Sequence, residues 1–173
     1  MSARPSAISR YHRPMSTPGF FGHLTQAHEQ IELRLKELEQ AADAVVDPAR
    51  AIAALETMTG VLDFFSTVGV QHTDDEEKTL FPRLRTLPAF AKMIDAYDFQ
   101  HRMAETEQTA LATRVGAYAA ANAAALRKQA HRFVEVQRAH ILAEEGALFP
   151  QAEKALPRRV LVEMTDELRV TVG

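Results

Sequence analysis

The chain has 173 residues and a mass of 19.2 kDa, enough for one domain with a sizeable core, and its 46% hydrophobic content is ordinary for a globular protein. A net charge of -3 gives no electrostatic footprint for nucleic acid or an anionic membrane surface. With no cysteine, disulfides, iron–sulfur ligation by this chain and a thiol nucleophile are excluded, so any redox chemistry must come from a bound ion or cofactor.

Residues 1–17 read as a flexible arm: Pro5 and Pro14, with Pro18 just beyond, break any period. This start lacks the apolar core of a secretory signal, and no apolar run reaches the length of a membrane span, so the cytoplasm is the expected location. Residues 18–173 read as one helical domain. Leu24, His28, Ile31, Leu35 and Leu38 mark the inner stripe of a first helix. Asp47-Pro48 is a start signal for a second, a capping acid before a proline. Ile52, Leu55, Met58, Leu62, Phe65, His72 and Glu76 then trace its inner face, and Pro82 helps to end it. Pro88 opens a third helix with Met93, Tyr97, His101, Gln108, Leu111 and Val115 along its stripe. A turn is required near Asn122. A fourth helix follows with Leu126, Phe133, Val136, His140, Glu144 and Leu148 inward. Beyond Pro157, Val160, Leu161, Met164 and Leu168 predict a short amphipathic C-terminal helix. The pattern is all-α, an up-down-up-down antiparallel four-helix bundle.

One block occurs twice. His72-Thr-Asp-Asp-Glu76-Glu77-Lys-Thr-Leu80-Phe81-Pro82 returns as His140-Ile-Leu-Ala-Glu144-Glu145-Gly-Ala-Leu148-Phe149-Pro150. Residues four apart on a helix differ by about 40° around the axis and about 6 Å along it, so each block sets an imidazole beside a carboxylate on one face. The same arithmetic turns Glu77 and Glu145 about 140° away from the histidine face. It also sorts the histidines. His28, His72, His101 and His140 lie on the four inner stripes, whereas His23 and His131 face elsewhere and His12 is in the arm.

A single inward histidine is more often a hydrogen-bonded core residue than a ligand. Four imidazoles and two carboxylates facing one another are different, because buried carboxylates are expensive and no lysine or arginine lies on these stripes. A metal cluster resolves that cost. Nitrogen and carboxylate donors together suit iron or manganese better than calcium or copper(I). Six protein ligands exceed what one structural zinc takes, and fit two ions sharing bridging carboxylates.

With these residues in place the chain resembles the hemerythrin-like HHE cation-binding proteins: one His, then His-x-x-x-Glu, one His, then His-x-x-x-Glu, with Leu-Phe-Pro after each block. The resemblance covers roughly residues 20 to 150. It implies a four-helix bundle with a non-haem di-iron site, terminal ligands His28, His72, His101 and His140, bridging ligands Glu76 and Glu144, and an oxo or hydroxo bridge. It also implies small oxidant ligands (dioxygen, peroxide or nitric oxide). The net charge gives no nucleic acid or membrane partner to expect, and the outer helix faces leave monomer or homodimer open. The oxygen carriers of that family have a fifth histidine four residues after the one on the third helix. Here that position is Glu105, readable as a further ligand, a hydrogen-bond acceptor or a polar residue at the bundle's end. Its carboxylate argues against reversible oxygen carriage. Ferritin-like bundles, the nearest rival, carry Glu-x-x-His, and no histidine here has Glu at that offset. The site then serves either turnover of peroxide or nitric oxide, with Tyr97 as a hydrogen-bond donor or a plain core aromatic, or a binding and sensing module without turnover.

Overall fold

A computed structural model describes residues 19–171, with side chains to 168; the arm expected over 1–17, and His12 with it, lies outside the described residues. The described residues contain no strand. We number five helices: α1 Phe20–Ala44, α2 Ala51–Arg85, α3 Ala91–Gly116, α4 over 123–155, and α5 Arg158–Thr171. The antiparallel order is fixed by cross-helix pairs. As α1 advances through His28, Glu32, Glu39 and Asp43, its partners on α4 retreat through Glu145, Arg138 and Arg127. On α3, Tyr97, Gln100 and Glu107 meet Ala143, His140 and Arg132 in the same sense. Four helices thus close a ring, as the sequence pattern predicts.

The start signals act one turn early. Asp47 Oδ1 accepts the Ala49 N–H at 3.0 Å, but this closes an isolated turn, and α2 proper begins at Ala51. Pro88 likewise begins a turn that ends with the Phe90 N–H on the Leu87 carbonyl, before α3 starts at Ala91. Ile52 is 75% exposed, which corrects its expected place on the inner face: six residues before Met58 it lies about 120° away around the helix, and Ala51 and Ala54 line up with the buried Met58 in its stead. In α3 the buried residue is Ile94 rather than the half-buried Met93, and in α4 it is Val134 rather than Val136. Pro82 does not end α2, which runs three residues further. It sits just after a π-helical turn, Asp75–Leu80, in whose wider coil the ordinary backbone ladder is already interrupted. By length and composition α2 is also apolar enough to cross a membrane, contrary to the sequence expectation; its inner face nonetheless carries His72 and Glu76 into the bundle.

The apolar core is divided. One cluster, with Leu35, Leu38, Met58, Phe65, Leu111 and Phe133, fills the end of the bundle near the α1–α2 connection. The other, with Leu24, Phe81, Ile94, Tyr97, Phe149 and Met164, fills the opposite end, where α5 packs across it. Thr165 of α5 accepts the Phe20 N–H at 3.1 Å, satisfying one of the free donors at the start of α1. Between the clusters lies a layer of buried polar residues. Phe133 is fully buried and meets the edge of Phe65 at 4.9 Å. Phe133→Ala is expected to lower stability in urea unfolding by about 3–5 kcal/mol, the cost of a large cavity in this cluster.

Candidate metal centre

The polar layer comprises His28 from α1, His72 and Glu76 from α2, His101 from α3, and His140 and Glu144 from α4, all buried. On α2 and α4 the ligand block ends in a π-helical turn, Asp75–Leu80 and Glu144–Leu148. Such turns insert a residue into the helix and are frequent at functional sites. Here each begins at or beside the inward glutamate. Tyr97 helps to hold the second, its hydroxyl donating to the Ala143 carbonyl at 2.8 Å.

The six side chains form two groups that share both glutamates: His28, His72, Glu76 and Glu144, and Glu76, His101, His140 and Glu144. All four imidazoles turn Nε2 inward. The His28 and His72 Nε2 atoms are 3.0 Å apart, and those of His101 and His140 are 3.1 Å apart. Two nitrogens each about 2.1 Å from one ion and at right angles would sit about 3.0 Å from each other. Glu76 lies 3.5 Å from His72 Nε2 and 3.2 Å from His101 Nε2. Glu144 lies 3.3 Å from His28 Nε2 and 3.2 Å from His140 Nε2. Each carboxylate therefore spans the two groups, the position of a bridge.

The outer nitrogens decide what the inner ones present. His28 Nδ1 is 2.9 Å from Glu145, His101 Nδ1 is 2.7 Å from Glu77, and His140 Nδ1 is 3.0 Å from Gln100 Oε1. Each partner is an acceptor, so each Nδ1 carries the hydrogen and the neutral ring turns a bare Nε2 inward. At the second pair two lone pairs then face each other across 3.1 Å. Only a proton or a metal ion between them relieves this. All four carboxylate oxygens of Glu76 and Glu144 are buried with no hydrogen-bond partner among the described residues. Orphaned oxygens of this kind are costly in a folded core. The donor set therefore fits a cation pair.

Ionisation follows from the same crowding. Burial pushes the Glu76 carboxyl up, but His72 and then His101 and His140 outweigh it and hold it down at about 2. Glu144 goes the other way: burial, and then the negative charge of Glu76, raise it well above the usual carboxylate range. Burial drives His140 down to about 3 and lowers His72, against the pull of Glu76. At His101 burial is overcome by Glu76 and Glu77, and its affinity for a proton rises.

A family model, the hemerythrin HHE cation binding domain, matches residues 20–152. The chain belongs to the hemerythrin HHE cation-binding family. No curated protein and no solved structure matches it. The HHE domain binds cations, and the histidine–glutamate cluster is where this chain brings cation-binding side chains together.

The remaining candidates fall outside the cluster. His23 is partly exposed and bonded to Asp75, and His131 is at the surface beside Asp43. Glu105, one turn beyond His101, is exposed and lines the mouth of a cavity of about 690 Å³ that reaches His72, His101 and His140. It belongs to neither cation-binding group. Phe65 borders this cavity; Val68 does not and is 39% exposed. The Tyr97 hydroxyl is committed to its carbonyl, and burial, with Glu144 and Glu76 nearby, raises it to about 12. That is the core aromatic reading. Glu77, Glu145 and Gln100 are the residues that the sequence did not single out; the echo of the Glu-Glu pair in both blocks was the available signal.

Two tests follow. His72→Ala is expected to abolish metal retention through gel filtration, and His131→Ala to leave it unchanged; equal loss from both would overturn the facing of α2 and α4. In the metal-free chain His140, depressed in the folded state, contributes stability above the unfolded value near 6.5 that is lost as pH falls towards about 3. The fall in unfolding free energy from pH 7 to pH 5 is therefore expected to be smaller in His140→Gln than in the parent.

Proposed function

We propose that the chain is a non-haem di-iron protein that handles dioxygen, peroxide or nitric oxide. His28, His72, His101 and His140 are the terminal ligands, and Glu76 and Glu144 bridge the two ions. The observation that carries this reading is the pair of cation-binding groups sharing both glutamates, with every carboxylate oxygen orphaned. Two divalent ions against the carboxylates of Glu76 and Glu144 would leave a net positive cluster, which would favour anionic oxygen ligands such as oxo or hydroxo. When bound, the iron pair supplies electrons and open coordination positions to a small oxidant.

The chain's own residues set access. The cavity meets the cluster at His72, His101 and His140, whereas Phe149 covers the ring of His28. A small ligand therefore arrives between α2, α3 and α4. Ile31, Phe65, Val70, Ala104 and Ile141 are apolar residues along this path and limit ordered water; Ser66 and Gln108, 3.4 Å apart, provide hydrogen-bonding groups. With Glu105 exposed, no fifth imidazole completes the cluster in the manner of the oxygen carriers, which favours turnover over reversible carriage.

Metal content of protein purified without added metal is the direct test. About two irons per chain is the expected result, followed by consumption of hydrogen peroxide that is lost in Glu76→Ala. Manganese at the same stoichiometry keeps the dinuclear centre and changes the metal. Two irons without turnover of peroxide or nitric oxide would make the chain a binding and sensing module. No bound metal after anaerobic loading with ferrous iron would end the reading.

A further inference from the structure

The second glutamate of each repeated block turns away from its own histidine but reaches a histidine on another helix. Glu77, from the α2 block, meets His101 of α3 at 2.7 Å; Glu145, from the α4 block, meets His28 of α1 at 2.9 Å. Both contacts are made to Nδ1, the nitrogen facing away from the cluster. The phenylalanine four residues on completes the arrangement. Phe81 stacks on the His101 ring at 5.4 Å and 16°, and Phe149 on the His28 ring at 5.5 Å and 12°. Every distinctive residue of the repeat other than its terminal proline and the core leucine thus acts at the cluster: the histidine and first glutamate point inward, and the second glutamate and phenylalanine seize a neighbour's imidazole.

These two contacts restrain different freedoms. A carboxylate accepts only, so it fixes the Nδ1–H tautomer and leaves the Nε2 lone pair for the cluster. A stacked aromatic face fixes the tilt of the ring. Together they set both what the imidazole offers and where it aims, and a ligand whose outer nitrogen is held in this way is a stronger donor to metal. His72 has no partner at Nδ1 among the described residues, and His140 has the neutral Gln100. The carboxylate clamp is confined to the lone histidines, those of α1 and α3, which have no partner glutamate from their own helix in the cluster.

We propose that Glu77 and Glu145 are positioning residues, each presetting the tautomer and orientation of one lone histidine, so that each half of the centre depends on both repeats. The His101 half takes His140 from the second block and its clamp from the first; the His28 half takes His72 from the first and its clamp from the second. The proposal rests on the metal reading given above. Both glutamates are about two-fifths exposed, at 41% and 42%, so shortening either one opens no cavity in the core.

The full chain, freed of metal, is titrated with cobalt(II) and followed by visible absorption, and the histidine tautomers of the metal-free chain are read from long-range ¹⁵N–¹H spectra. Glu145→Ala is expected to weaken one binding step by about 10–100-fold and Glu77→Ala the other, the range found when a ligand's outer partner is removed. Glu77→Gln, whose amide oxygen still accepts the Nδ1–H, is expected to restore most of the loss. In metal-free spectra recorded at a pH alkaline enough for His101 to be neutral, His101 of the parent is the Nδ1–H form, and Glu77→Ala turns it into a tautomer mixture while His28 is unchanged. Unchanged tautomers and unchanged cobalt steps would overturn the proposal, as would equal weakening of both steps together with a lowered melting temperature. If the parent binds no cobalt, the metal reading is what fails, and the tautomer spectra alone decide whether the clamps exist.

Discussion

The bundle carries its polar side chains where a helical protein ordinarily places leucine. Two carboxylates and four imidazoles occupy a full cross-section of the core, all but excluded from water, with no lysine or arginine among them. Burying charge without a partner is among the largest penalties a fold can incur. The constraint shapes everything nearby. It splits the apolar core in two, it sets Glu76 and Glu144 against each other as one ionises easily and the other resists, and it leaves bare nitrogens facing one another. Bound cations would convert each of these liabilities into a ligand.

The local devices serve that layer. A regular helix presents one side chain inward every three or four positions, and neighbouring residues diverge. The turns at Asp75–Leu80 and Glu144–Leu148 depart from that rule where two successive glutamates must both be used, one for the centre and one for the adjacent helix. Arg138 adds a second tie at the surface, gripping Glu32 and Glu39 of α1 from α4 close to the level of the cluster. Such an exposed grip stabilises little by itself, but it holds the register between α1 and α4 that brings Glu145 to His28.

Much of this was legible in the chain itself. The repeated block, the sorting of histidines by facing and the four-helix order all follow from a constant 100° per residue, and His28, His72, His101, His140, Glu76 and Glu144 come together as that arithmetic requires. The same arithmetic missed what departs from constant pitch. Glu77 and Glu145 were set aside because a regular helix turns them from their own histidine, which says nothing about a histidine on another helix. Ile52 is a different case: it is expected inward because 52, 55 and 58 recur every three residues, but each such step falls about 60° short of a full turn, so Ile52 ends about 120° from Met58 and faces solvent. Pro82 was read as a terminator, although a π-helical turn can absorb a proline.

The divided core bears on how the molecule comes apart. A domain usually unfolds as one unit because its apolar contacts are continuous. Here the two clusters communicate across a layer whose cohesion depends on what it holds. Without a cation, the end closed by α5 and the end beneath the α1–α2 connection meet across a layer that holds two unpartnered carboxylates, and each would open at lower cost than the whole. With both halves of the centre filled, six ligands from four helices pin the two ends together. The resident ions would then set the cooperativity of the fold, making one foldon of two.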